Sequence, residues 1–418
     1  MFKRRRENPA LFLTQEIFLG HFPPIHCTRE EFSRILKVAY KVPQTLAEIF
    51  SFVPGRNGKP VLHALDKRYL LREQILDLFY STLITNRQAY LTNIYQAYFA
   101  FKDPLTLDWS DRKDILTDRS ISVQKNDASK RLIRNLFYLD ILDRTHISNT
   151  VKSKVSFWQS LLNMFNGLCL EDRFFATSSL ELCLKDSRNL FYLFQAYQPK
   201  ASIFNPYTIK WILSALVNQR LGYEGKTLFT PVLSWSAYLI AFMHSTYETY
   251  VGVDVMSSVC EKNRDLADYY RQSHPNRDVT IICKPSERLL TDVPFNTRYT
   301  DFFDTIMVCP PYFNMEIYSE GLQSTLVYPD YPTWLEGYWR PTVEMCYAVT
   351  KPGGVFLLII NDFTDLTGHH YNLVQDLDEI MRTFYQYTDT FYLKNRTSPL
   401  RTTTKDRTEK LLLYTKLK

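Results

Sequence analysis

The sequence predicts an α/β chain: a mostly parallel, doubly wound sheet ending in an antiparallel hairpin, preceded by an α-helical domain. Three observations predict this. From about Arg29 to Gln198 apolar residues recur at helical spacing nearly throughout. After about Ala201 short β-branched and aromatic runs alternate with helical segments, as in strand-helix-strand crossovers. The last two runs flank a polar turn with no helix between them, as in a hairpin.

At 418 residues the chain exceeds what one compact core accommodates, and 45% hydrophobic with 15% aromatic residues is enough to fold both parts. Domains are expected at 1–200 and 201–418, divided where Gln198-Pro199-Lys200 breaks the preceding helix. In the first, Leu71, Ile75, Leu78 and Phe79 share one helical face, as do Leu132, Leu136 and Leu139. Further helices are expected over 29–41, 86–101, 153–170 and 178–198. Breaks fall at Pro54 to Pro60 and over the polar stretch from Lys102 to about Asn126. In the second, strands are expected at Lys226 to Phe229, Tyr250 to Val253, Val279 to Cys283, Phe303 to Val308 and Gly354 to Ile360, with Thr390 to Lys394 and Lys410 to Lys416 as the hairpin.

The net charge of +6 is compatible with a polyanionic partner. Lys3 to Arg6, and Lys394, Arg396, Arg401, Lys405 and Arg407 around the hairpin turn, are candidate phosphate contacts, or simply solvated surface. Seven scattered cysteines without a signal sequence read as reduced thiols in an intracellular, reducing compartment, whether nucleus, cytoplasm or a viral setting. No Cys/His cluster has metal-ligand spacing, His369-His370 included, and no stretch reaches membrane-spanning length, so neither a metal nor a membrane is expected.

In a doubly wound sheet ligands bind at the carboxyl ends of the strands. Three features fall there. Asp254, after Tyr250-Val251-Gly252-Val253, is positioned to accept from ribose hydroxyls, or else to cap the next helix. Lys284-Pro285-Ser286-Glu287 follows the third strand, where Ser286 would flank an adenine ring or open a helix. Cys309-Pro310-Pro311-Tyr312 ends the fourth strand. An aromatic amine is a poor nucleophile, so a catalyst must hold its N–H groups with acceptors and aim its lone pair. Two prolines stiffen such a loop and leave its carbonyls free, and the aromatic offers a stacking face for an extruded base.

With these residues in order, the stretch from about Phe204 to Lys416 resembles the S-adenosylmethionine-dependent amino-methyltransferases of DNA, which act on adenine N6 or cytosine N4. The resemblance rests on Phe204-Asn205-Pro206-Tyr207 before the first strand, Val253-Asp254, Cys309-Pro310-Pro311-Tyr312, and Lys351-Pro352-Gly353-Gly354 at a helix exit before Val355 to Ile360. It implies a Rossmann-like class I methyltransferase sheet and S-adenosylmethionine as cofactor, with Phe204, Pro231, Ser234, Ser236, Asp254 and Ser286 at the donor. It implies Cys309, Pro310, Pro311 and Tyr312 as the catalytic loop, and nucleic acid, DNA first, as partner. The helical domain would grip the substrate or a protein partner.

Two positions depart from the family pattern. The first residue of the catalytic loop is normally Asp, Asn or Ser and here is Cys309, a weak acceptor. The donor turn, Asp-Pro-Phe-x-Gly-x-Gly in the family, here reads Thr230-Pro231-Val232-Leu233-Ser234-Trp235-Ser236, with serines for both glycines. The expected function is methyl transfer to a nucleobase amino group. The competing expectation is an inactive methyltransferase-like protein that binds nucleic acid or supports a partner subunit.

Overall fold

A computed structural model describes residues 12–21, 26–40, 76–99, 116–117, 119–123, 128–138, 140, 146–147, 202–223, 225–318, 322–365, 368–395 and 409–417. The chain divides into two compact units, one of 13–100 and 153–200, the other of 1–12, 101–152 and 201–418. Residues 101–152 group with 201–418 in the second of these units.

In the first unit, helices Gln15–His21 and Arg29–Tyr40 and a helical stretch from 76 to 99 bury Phe18, Phe32, Phe79, Ile94 and Phe99. The Tyr95 hydroxyl donates to the Leu13 carbonyl at 2.8 Å and that of Tyr80 to the Cys27 carbonyl at 3.0 Å. The expected helices at 153–170 and 178–198, and Leu71 and Ile75, lie outside the described residues.

The second unit is built on one nine-stranded sheet. Its strands are β1 (Leu116–Thr117), β2 (Ser120–Val123), β3 (Thr227–Thr230), β4 (Thr249–Asp254), β5 (Asp278–Cys283), β6 (Phe303–Val308), β7 (Thr350–Ile360), β8 (Gln386–Asn395) and β9 (Glu409–Thr415). Their spatial order is β1-β2-β8-β9-β7-β6-β3-β4-β5. Strands β3 to β7 are mutually parallel, and β9 is antiparallel between β7 and β8. This is the class I methyltransferase arrangement. Strand β2 adds in parallel to the outer edge of β8, with Tyr392 opposite Ser120. The chain runs outward from β3 to β5 and then returns to β6 on the other side of β3. The carboxyl ends of β3 and β6 therefore flank the switch point, where a doubly wound sheet opens a crevice.

Strict alternation explains the layering. Leu228, Tyr250, Met307, Val355, Leu357, Ile359, Leu411 and Leu413 point to one face, where helices Ala237–Met243 and Ser257–Arg271 cover them. Phe229, Val251, Val253, Ile306, Val308, Phe356, Leu358, Ile360, Leu412 and Tyr414 point to the other, beneath Val293–Tyr299, Arg340–Val349 and Leu373–Met381.

One local expectation is corrected. Lys351 to Gly354 do not form a helix exit, because the helix stops at Val349 and Thr350 is already extended. Thr350 faces Phe303 and Val355 faces Thr305, so the intervening residues bulge from β7. Gly353 takes φ +81°, and a Cβ on Gly354 would lie 2.9 Å from the Lys351 carbonyl oxygen and 3.1 Å from that of Asp304.

Candidate functional site

A cavity of about 1320 Å³ opens at the carboxyl ends of β3, β4, β6 and β7. Phe204, Pro231, Ser234, Asp254, Ser286 and the whole segment Cys309-Pro310-Pro311-Tyr312 line it. Ser236 does not line it and is fully buried, so it shapes the turn only through its backbone.

The turn after β3 keeps a glycine-like backbone without glycine. Ser234 and Ser236 both take left-handed φ, at +58° and +59°. The Leu233 N–H donates to the Val253 carbonyl at 2.7 Å, anchoring the turn to β4. The Ser236 hydroxyl is buried and has no hydrogen-bond partner among the described residues. Trp235 lines the cavity, with its ring 5.6 Å from Phe137 and 5.8 Å from Tyr318.

Asp254 closes this side. Its carboxylate accepts the Met256 N–H at 3.0 Å and the backbone N–H groups of Val255 and Ser234. Burial nevertheless pushes its pKa up to about 6, since these three donors only partly offset desolvation. The residue preceding helix Ser257–Arg271 is Met256, so Asp254 steadies the helix entry without being its N-cap. Ser286 lines the cavity and opens the helical turn Ser286–Thr291. Its buried hydroxyl donates to the Pro231 carbonyl and clamps the turn to the segment after β5.

Across the cavity, the Cys309 N–H donates to the buried Tyr238 hydroxyl at 2.8 Å. Burial, reinforced by the nearby carboxylates of Glu409 and Glu316, raises the Cys309 thiol well above its usual range, so it is protonated at neutral pH. The Tyr312 hydroxyl donates to Glu409 Oε1 at 3.3 Å and receives the Asn361 N–H. Phe313, at φ +46°, is locked among Trp334, Tyr331 and Tyr371, which fixes the loop in a backbone conformation that non-glycine residues rarely hold.

Glu316 organises the next stretch. It accepts the Tyr318 hydroxyl at 2.5 Å and both the Ser202 hydroxyl, at 2.8 Å, and N–H. Glu316–Ile317 also pairs with His146–Ile147.

Sequence reading did not single out Glu409, Tyr238 or Asn361. Glu409 heads β9, and because β9 is antiparallel its first residue lies at the edge where the parallel strands end. Lys130 reaches the cavity from helix Ala128–Leu136, in the segment read as part of the helical domain. The side chains of Lys394 and Asn395, and all of Arg396, Arg401, Lys405 and Arg407, lie outside the described residues. Among the described residues, no group of three His, Cys, Asp or Glu is placed to hold a metal, and no helix is long and apolar enough to cross a membrane.

No family model and no curated protein matches the chain. Solved structures resemble it remotely. The N-methyltransferase NodS from Bradyrhizobium japonicum, with S-adenosylhomocysteine, shares 11% identity at a TM-score of 0.32, over 51% of this chain and 89% of that one. A didemethyltoxoflavin N1-methyltransferase from Burkholderia thailandensis, also with S-adenosylhomocysteine, shares 12% at 0.32, over 65% and 94%. A SAM-dependent O-methyltransferase from Thermotoga maritima shares 12% at 0.31, over 52% and 68%.

Proposed function

We propose that this chain transfers a methyl group from S-adenosylmethionine to an exocyclic amino group of a nucleobase in DNA or RNA. The observation that carries the reading is that Asp254 and Cys309-Pro310-Pro311-Tyr312 line one cavity at the switch point of a methyltransferase sheet. Its size, about 1320 Å³, exceeds the range of roughly 300–1,000 Å³ usual for one small ligand. That supports two reactants side by side.

The residues fit the donor. The left-handed Ser234 and Ser236 reproduce the backbone path that glycines otherwise supply, so serine substitution does not by itself close the turn. Asp254 would accept the ribose hydroxyls, and Phe204 and Pro231 would wall the pocket. When bound, the donor supplies an electrophilic methyl group. On the acceptor side Tyr312 would stack on the base and the Pro310 carbonyl would take one amino N–H. The helical unit would grip substrate or a protein partner.

One observation favours the binding-only alternative: the Cys309 thiol is neutral, and so a poor substitute for the usual oxygen acceptor. Transfer of labelled methyl groups to DNA and RNA, with wild type and Tyr312→Ala, separates the two. Activity that drops in the variant supports the enzyme. Unchanged transfer rejects this active site, and no transfer from a chain that binds nucleic acid supports the alternative.

A further inference from the structure

We propose that Glu409, and not the first residue of the diproline loop, accepts the N–H of the amino group that is methylated and takes its proton. The inference rests on the methyl-transfer reading. An aromatic amine presents its lone pair only when its N–H groups are held by acceptors, and a neutral thiol holds them poorly. An acceptor must therefore come from elsewhere in the cavity.

Among the described residues, five carboxylates line it: Asp254, Glu287, Glu316, Asp362 and Glu409. Four are engaged away from the diproline loop. Asp254 is held by three backbone N–H groups, Glu287 by Tyr328, Glu316 by Ser202 and Tyr318, and Asp362 Oδ1 by the Val374 N–H. Glu409 is the one of the five that is hydrogen-bonded to the diproline loop itself. Oε1 accepts from Tyr312, the residue expected to stack on the base, while Oε2 receives no hydrogen bond from any described residue. Tyr312 thus fixes the carboxylate and leaves one oxygen available beside the loop. Burial, only partly offset by Tyr312 and by the charge of Lys130, raises the Glu409 pKa, so the carboxylate is more basic than one in water.

The chemistry balances. The nitrogen lone pair forms the new N–C bond as the S–C bond breaks with its electrons left on sulfur. The nitrogen, now positively charged, releases its proton to Glu409. Solvent then recovers the proton.

Anisotropy binding with the full chain tests this. Single-stranded DNA and RNA probes carry one central adenine, or purine lacking the amino group, and one central cytosine, or 2-pyrimidinone. Wild type is expected to bind at least one amino-bearing probe about tenfold more tightly than its amino-free counterpart. Glu409→Ala is expected to equalise the pair, and isosteric Glu409→Gln, whose amide oxygen still accepts, to keep a preference. Thermal melting confirms that both fold. A preference that survives Glu409→Ala, or that is lost in Cys309→Ala alone, overturns the proposal. If wild type binds without preference, Glu409 is not the acceptor, although nucleic-acid binding stands. If it binds no probe, the methyl-transfer reading falls and this inference with it.

Discussion

Ser236 donates its backbone N–H to the carbonyl of Ser234 at 3.0 Å, and both residues sit in the left-handed region. A turn that normally needs glycine has been kept with serine. Each left-handed serine costs roughly 1 kcal/mol, and burying an unpartnered hydroxyl adds about 1–3 kcal/mol at Ser236. Ser236→Gly removes both, offset by roughly 0.5–1 kcal/mol of glycine entropy. Urea unfolding is expected to show a net gain of about 1 kcal/mol for Ser236→Gly and a loss for β-branched Ser236→Val.

Asp254 couples stability and donor binding in opposite senses. Its folded pKa of about 6 lies above the ordinary carboxylate value of about 4. Between those values the folded chain holds a proton that the unfolded chain has released. Its contribution is therefore fully present below pH 4 and is lost as pH rises through 6. Donor affinity should rise across the same interval as the carboxylate ionises. Calorimetric titrations from pH 5 to 8 should show that rise in wild type, and a flat profile in Asp254→Asn.

At Gly354 the β7 bulge has no room for a side chain. Gly354→Ala puts a methyl group against the carbonyl oxygens of Lys351 and Asp304, at 2.9 and 3.1 Å, where backbone must move. A loss of roughly 1–3 kcal/mol is expected in denaturant titrations, with Gly368→Ala as a comparison whose site has open space but a strained φ of +89°.

The centre of the sheet was legible because β3, β4, β6 and the second half of β7 are buried on both faces and so read as continuous apolar runs. Phe303 to Val308 coincides with β6, and the run from Tyr250 to Val253 is one residue short at each end of β4. β2 was missed because four residues next to the sheet edge, within a polar stretch, carry too little apolar pattern to register. The same logic divides the site. Asp254 and the diproline loop sit directly after strong strands, and their shared cavity follows from topology. Glu409 was hidden because its relevance depends on the antiparallel insertion of β9, which brings it from 97 residues away to Tyr312. The clamp between Ser286 and Pro231 depends likewise on contact between two separate loops.

Glu316 ties Ser202 and Tyr318 together at the cavity wall. Glu316→Ala leaves both hydroxyls without this acceptor and should cost roughly 2–3 kcal/mol in urea unfolding, whereas Glu316→Gln should recover much of the loss. Equal stability of the two variants would mean that this wall is held by other contacts.

On the proposed reading the cavity beside Asp254 receives S-adenosylmethionine. Isothermal titration of the full chain with S-adenosylmethionine and S-adenosylhomocysteine tests it most directly. Saturable binding by wild type, weakened at least tenfold in Asp254→Ala, is the predicted result. An absence of heat at millimolar donor, or equal affinity in the variant, would contradict it.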